Sequence, residues 1–217
     1  MGKAADKENR RKLSAAETKR LDKYTELKAG LCAEGYEERD MTVSLVFANV
    51  MAFVLTLPII AVFVVLFFIK NIELAPAINE RTILGVLLFL VLLAALVVLH
   101  ELIHGLTWAV FAKNHWKAIS FGFIAEYLTP YCTCGEPLKR GQYIIGALMP
   151  TILLGIVPSV IAIFTGSHFL LGIGSLMIMS GGGDLTIVLK LLLRKENGKQ
   201  CVYVDHPYKA GLMVFER

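Results

Sequence analysis

Five consecutive residues, His100–Glu101–Leu102–Ile103–His104, carry the strongest chemical signal in this chain. On a helix, positions i and i+4 share a face, so both imidazoles can reach one metal ion. Glu101, beside the first histidine, can reach a water on that metal and act as general base. Zinc lowers the pKa of such a water to about 7. A catalytic zinc site usually takes three protein ligands and leaves one position open, so a third ligand is expected elsewhere in the chain.

Asp184 is the candidate, because it is the only other acid in an apolar span. The motif lies in a helix that leaves the membrane near Lys113, thirteen residues after His100, and Asp184 lies ten residues before Arg194. At about 1.5 Å per helical residue the two depths agree within roughly one turn. Asp184 can therefore stand level with His100 and His104. Two blander readings stand beside these: the His–Glu–His trio as polar glue between helices, and Asp184 paired with a polar group elsewhere. Against the first, a carboxylate at mid-membrane costs roughly 2.5–3.5 kcal/mol. Against the second, the spans hold no Lys or Arg at the level of the acid, Lys190 lying near the end of the last span. His115 and His206 read as surface histidines, and His168 falls on the far side. Cys132 and Cys134 read as two structural thiols rather than a thiolate site, and Glu126 and Glu136 as loop acids. Ser175 and Ser180 lie near the site but have no base or orienting acid of their own for a serine mechanism.

The elements that must position these groups are long apolar helices. The 217 residues are 56% hydrophobic and only 18% charged, against roughly half and a quarter in soluble domains. Four spans are expected, at 44–69, 82–111, 143–165 and 168–193, forming a transmembrane metalloprotease-like domain over 44–195. Gly181, Gly182 and Gly183 precede Asp184 and predict close backbone approach or local unwinding. Unwinding at that depth is tolerated where protein or a water-filled cavity takes up the freed backbone groups.

Residues 1–43 read as a charged N-terminal tail. Leu21, Tyr24, Leu27 and Leu31 hint at a weak amphipathic helix, which reads as a solvated arm touching anionic headgroups. Segment 117–136 reads as one or two strands. Residues 196–217 form a C-terminal hairpin, with strands at 201–204 and 212–215, and the two regions are expected to share a small sheet. Of the 22 Lys and Arg residues, ten precede residue 45 and six follow Leu189. The positive-inside rule then puts both termini in the cytoplasm of a multi-pass cell-membrane protein. All four cysteines fall on that side and are expected to be reduced thiols. No cleavable signal peptide is visible, so the first span is expected to act as its own insertion signal. Nothing resembles a nucleic-acid reading motif or stacking platform. The implied surroundings are the lipid bilayer and a membrane-protein or peptide substrate.

HELIHG at 100–105, YCTCGEPL at 131–138, GALMP at 146–150, SGGGD at 180–184 and VDHP at 204–207 together resemble the putative zincin peptidases. These are small bacterial multi-pass proteins, and the likeness runs from about residue 80 to the end. That family is in turn similar to the site-2 proteases, which are intramembrane zinc metalloproteases. The resemblance implies Zn2+ held by His100, His104 and Asp184, with Glu101 as the base. Site-2 proteases carry the aspartate between Leu and Gly, after an Asn–Pro motif. Here Gly183 and Leu185 flank it, and the last two spans hold no Asn. They also use a β-hairpin beside the cleft to hold an unfolded substrate as an added strand, and segment 117–136 follows the motif in the order that role requires. The expectation is an α-helical membrane protein that hydrolyses peptide bonds near the cytoplasmic side. A non-catalytic zinc-binding scaffold is the alternative. A metal transporter fits less well, because the ionisable groups cluster at one depth instead of lining a path.

Overall fold

The computed structural model describes residues 13–72, 83–124 and 129–217, and these are mostly helical. Helix α1 (Ala15–Ala33) starts at a capping box: the Ser14 hydroxyl accepts the Glu17 N–H, and the Glu17 carboxylate accepts the Ser14 N–H. Strand β1 (Glu37–Asp40) follows, and then α2 (Leu45–Lys70), capped by Ser44 and unbroken at Pro58. Helix α3 (Ile83–Phe111) carries the histidine motif. A short 3-10 turn leads into the hairpin β2 (Ile119–Ile124) and β3 (Thr129–Cys134). Helix α4 (Arg140–Pro150) passes through a π turn, Thr151–Ile156, into α5 (Val157–Thr165). Gly166 ends α5 with φ 68°, a left-handed cap that glycine adopts without strain. Helices α6 (His168–Ser180) and α7 (Gly182–Leu193) come next, and β4 (Cys201–Asp205) and β5 (Leu212–Glu216) close the chain.

Three stretches are long and apolar enough to cross a membrane: Leu45–Lys70, Gly85–Phe111 and Arg140–Thr165. Helices α6 and α7 make a fourth if read as one span, but they meet at a bend of 51°. The stretch expected as the fourth span is thus two helices rather than one, and the break falls in the glycine run. The close approach expected of those glycines is present as well. A Cβ on Gly181 would lie 1.9 Å from the Thr151 hydroxyl, and one on Gly182 would lie 2.4 Å from the Ala52 Cβ. The last carbonyls of α7 are satisfied by Arg140, which donates to Leu191 and Leu192.

The strand regions differ from expectation in two ways. They form two sheets, not one: β2 pairs with β3, while β5 lies between β1 and β4, all antiparallel. An isolated bridge, Leu138 to Tyr203, joins β4 to the segment that follows β3. Residues 15–40 are also folded, where a solvated arm was expected. Strand β1 pairs with β5, and Tyr24, Leu27 and Leu31 of α1 pack on Val204, Met213 and Phe215. The reason is burial: the outer face of the β4–β5 hairpin is apolar, and the weak stripe on α1 covers it.

Candidate metal centre

One turn of α3 presents His100 and His104 on a single buried face, as the i, i+4 spacing requires. Asp184 arrives from the first turn of α7, just past the bend. Its Oδ2 lies 3.4 Å from Nε2 of His100 and 3.4 Å from Nε2 of His104. Ligand atoms of the three residues all fall within 4.8 Å of one another, and this is the one such cluster among the described residues.

These spacings test the fit of a metal. A charge-assisted N–H···O bond closes to about 2.7–2.9 Å, so 3.4 Å is long for a direct ion pair. For a tetrahedral ion ligated at about 2.1 Å, neighbouring ligand atoms stand about 3.4 Å apart. Two imidazoles and a carboxylate are also a donor set that zinc accepts, and three ligands leave one position open. The residues present fit the ion.

The histidines are held from behind. His104 Nδ1 lies 2.9 Å from the Gly146 carbonyl on α4, so Nδ1 donates and Nε2 keeps its lone pair for the shared point. His100 Nδ1 lies 3.5 Å from the Ser180 hydroxyl, which spends its own proton on the Met177 carbonyl at 2.9 Å. Trp108 stacks on His104, with centroids 5.1 Å apart and planes at 15°. The Trp108 indole N–H donates to the Tyr143 carbonyl at 3.2 Å.

Glu101 is half-buried and lies beside the backbone N–H of Cys132 on β3. The register explains that contact. Pro130 has no N–H to give, so the pairs Phe123–Pro130, Phe121–Cys132 and Ile119–Cys134 are the non-hydrogen-bonded ones. Their main-chain groups on β3 turn away from β2. Cys132 accordingly faces Glu101, and the Cys134 N–H donates to Asp205 Oδ2 at 2.7 Å. Metal cluster, Glu101 and the β3 edge line one cavity of about 560 Å³. Its lining runs from Asn49 and Ala52 on α2 to residues 206–211 of the C-terminal turn. Arg20 of α1 lies at this cavity too, donating to the Pro207 carbonyl at 2.9 Å and the Tyr131 hydroxyl at 2.6 Å.

The other candidates separate cleanly. His115 and His206 lie outside the cluster, and the His206 Nδ1 accepts the Tyr208 and Lys209 N–H groups. His168 sits beside Phe67 and Phe68, with ring centroids 4.9 and 6.4 Å away. Cys132 and Cys134 are buried free thiols, which burial pushes well above the ordinary thiol range, Cys134 to about 12. Glu136 accepts the Asn114 N–H at 3.1 Å, and Glu126 lies outside the described residues. Sequence reasoning did not single out Trp108, Tyr143, Gly146 and Asp205 as residues that hold the centre. Their trace in the sequence is that Gly146 and Asp205 fall inside the GALMP and VDHP stretches.

Residues 93–198 match the model of a protein family described as putative zincin peptidase. No curated protein matches the chain, and neither does any solved structure.

Proposed function

Since the chain belongs to that family over residues 93–198, we propose that it is an intramembrane zinc metallopeptidase that hydrolyses peptide bonds near the cytoplasmic face. The observation that carries this is the meeting of His100, His104 and Asp184, from two separate helices, with both imidazole–carboxylate distances at the spacing of a tetrahedral ion and an open cavity beside them. Zinc held by these three residues would supply a Lewis acid that polarises the scissile carbonyl and acidifies a water. Glu101 accepts the proton of the attacking water on a carboxylate oxygen and returns it to the leaving amine. The Cys132 N–H beside that carboxylate holds it in place. Gly146 keeps His104 in the tautomer with Nε2 free.

The three long apolar helices and the bent pair span the bilayer in this reading. The basic N- and C-terminal segments and the 112–139 region then lie in the cytoplasm. The outward carbonyls of β3 at Pro130 and Cys132, next to Glu101, accept N–H groups of an extended substrate. A peptide in that position presents its backbone instead of a particular side chain.

The test is metal content and cleavage on purified protein. Glu101→Gln keeps its zinc and loses cleavage, while His100→Ala, His104→Ala and Asp184→Ala lose zinc as well. Cleavage that persists in Glu101→Gln rules out this mechanism. A zinc-loaded wild type that cuts nothing, and behaves like Glu101→Gln, makes the protein a zinc-binding scaffold instead.

A further inference from the structure

The two elements that hold the metal centre from behind, β3 and α4, meet at one buried carboxylate. Asp205, at the end of β4, is 9% exposed, lines the same cavity as the cluster, and uses both of its oxygens. Oδ2 accepts the Cys134 N–H at 2.7 Å, and Oδ1 accepts the Tyr143 hydroxyl at 2.5 Å. From Cys134 the strand runs two residues back to Cys132, whose N–H lies beside Glu101. From Tyr143, helix α4 runs one turn on to Gly146, whose carbonyl meets His104 Nδ1 at 2.9 Å. The Tyr143 carbonyl also fixes Trp108, whose ring backs His104.

We propose that Asp205 is a positioning residue for the metal centre, acting on His104 through Tyr143 and α4 and on Glu101 through Cys134 and β3. The inference rests on the metal reading above. A buried carboxylate is costly to desolvate, and an apolar residue would close the gap between β4 and α4 at lower cost. What an apolar residue cannot do is accept two hydrogen bonds from two different elements and so fix their spacing. Asp205 occupies, for Cys134, the place a neighbouring strand's carbonyl would take. It closes the outward edge of β3 at that residue, so the accepting stretch is confined to Pro130 and Cys132, next to Glu101. Asparagine at this position can accept only one of the two bonds, because its NH2 meets a second donor.

The experiment measures zinc affinity by chelator competition on the full chain in detergent micelles. Tyr143→Phe keeps the ring and removes only the hydroxyl, while Asp205→Asn keeps the volume. Each is expected to weaken zinc by about 5–10-fold, less than the roughly 10–100-fold that follows loss of a ligand's own hydrogen-bond partner. Val214→Ala, a truncation in the same buried core, is the control. It is expected to lower thermal stability and to leave zinc affinity within twofold. If Asp205→Asn does not fold, Tyr143→Phe decides. Unchanged zinc affinity in Tyr143→Phe overturns the positioning role, and so does an equal loss in Val214→Ala. A wild type that binds no zinc overturns the metal reading itself, an outcome distinct from variants that bind as the wild type does.

Discussion

The Gly146 carbonyl stands 2.9 Å from Nδ1 of His104, and the approach is possible because Gly146 has no side chain. A Cβ there would lie 2.0 Å from Nε1 of Trp108, the residue stacked on His104. Gly146→Ala must displace the indole or the helix. The expected cost is about 1–3 kcal/mol, the usual penalty for overpacking a filled site. Zinc affinity should fall with stability, because the displaced ring is the one behind His104. Thermal unfolding and chelator competition on the same preparation check both. A stable variant with normal zinc affinity would show that α4 does not orient His104.

The glycine run before Asp184 contains two crowded positions and one open one. A Cβ on Gly182 would lie 2.7 Å from the Cα of Ala52, which is backbone and cannot swing aside, whereas a Cβ on Gly183 meets nothing within 4 Å. Gly182→Ala should therefore destabilise by about 1–3 kcal/mol. Gly183→Ala should be neutral or stabilising by up to about 1 kcal/mol, from helix propensity. Denaturation of the two variants side by side checks the contrast, and equal effects would mean that α2 and α7 do not touch at Ala52.

Chelation offers a third measurement. A ligand that binds only the folded state stabilises it, by about 2.7 kcal/mol at one hundred times its Kd. Adding zinc to stripped protein should raise the melting temperature of the wild type and of Glu101→Gln alike. It should do so much less for Asp184→Ala, which lacks one of the three clustered ligand atoms. A full zinc-induced rise in Asp184→Ala would place the third ligand elsewhere.

The fourth prediction concerns acid. Burial, assisted by Lys209, pushes His206 from its ordinary 6.5 down to about 4, while Asp40 and Glu38 pull weakly the other way. The folded state thus refuses a proton that the unfolded chain takes up. His206 contributes stability that is fully present above pH 6.5, falls as pH drops toward 4, and is flat below that. Its ring stands 6.4 Å from that of Tyr24 on α1, stacked at 29°. The contact between α1 and the C-terminal sheet should therefore weaken in this window. His206→Gln keeps an acceptor for the Tyr208 and Lys209 N–H groups and removes the titration. Its melting temperature should change less between pH 6.5 and 5 than that of the wild type. Matching slopes would exclude His206 as the source.

The clustering of the three candidate ligands was legible because each rests on local arithmetic. His100 and His104 follow from helical periodicity, and the level of Asp184 follows from counting residues to the span ends. The hairpin at 201–216 followed from alternation and a turn. What the sequence hid depends on partners distant along the chain. Tyr24, Leu27 and Leu31 make a stripe too weak to announce a docking face until β4 and β5 supply its other half. Asp205, in Asp205–His206–Pro207, looks like an ordinary turn acid. Only the fold brings it to Tyr143 and Cys134. The bend in the fourth span was foreshadowed by three glycines, but the sequence could not say which two would be pressed against Thr151 and Ala52.

Strand β5 is the central strand of its sheet, although it comes last among the elements, with β1 and β4 on either side of it. During synthesis the histidine motif and Asp184 emerge from the ribosome well before Leu212–Glu216. Until those five residues thread between their neighbours, β1 has no pairing partner and β4 lacks its hairpin mate. His100, His104 and Asp184 are thus all present in the chain before the framework that clamps them exists. A nascent chain therefore spends its translation time without a finished sheet beside its candidate metal centre.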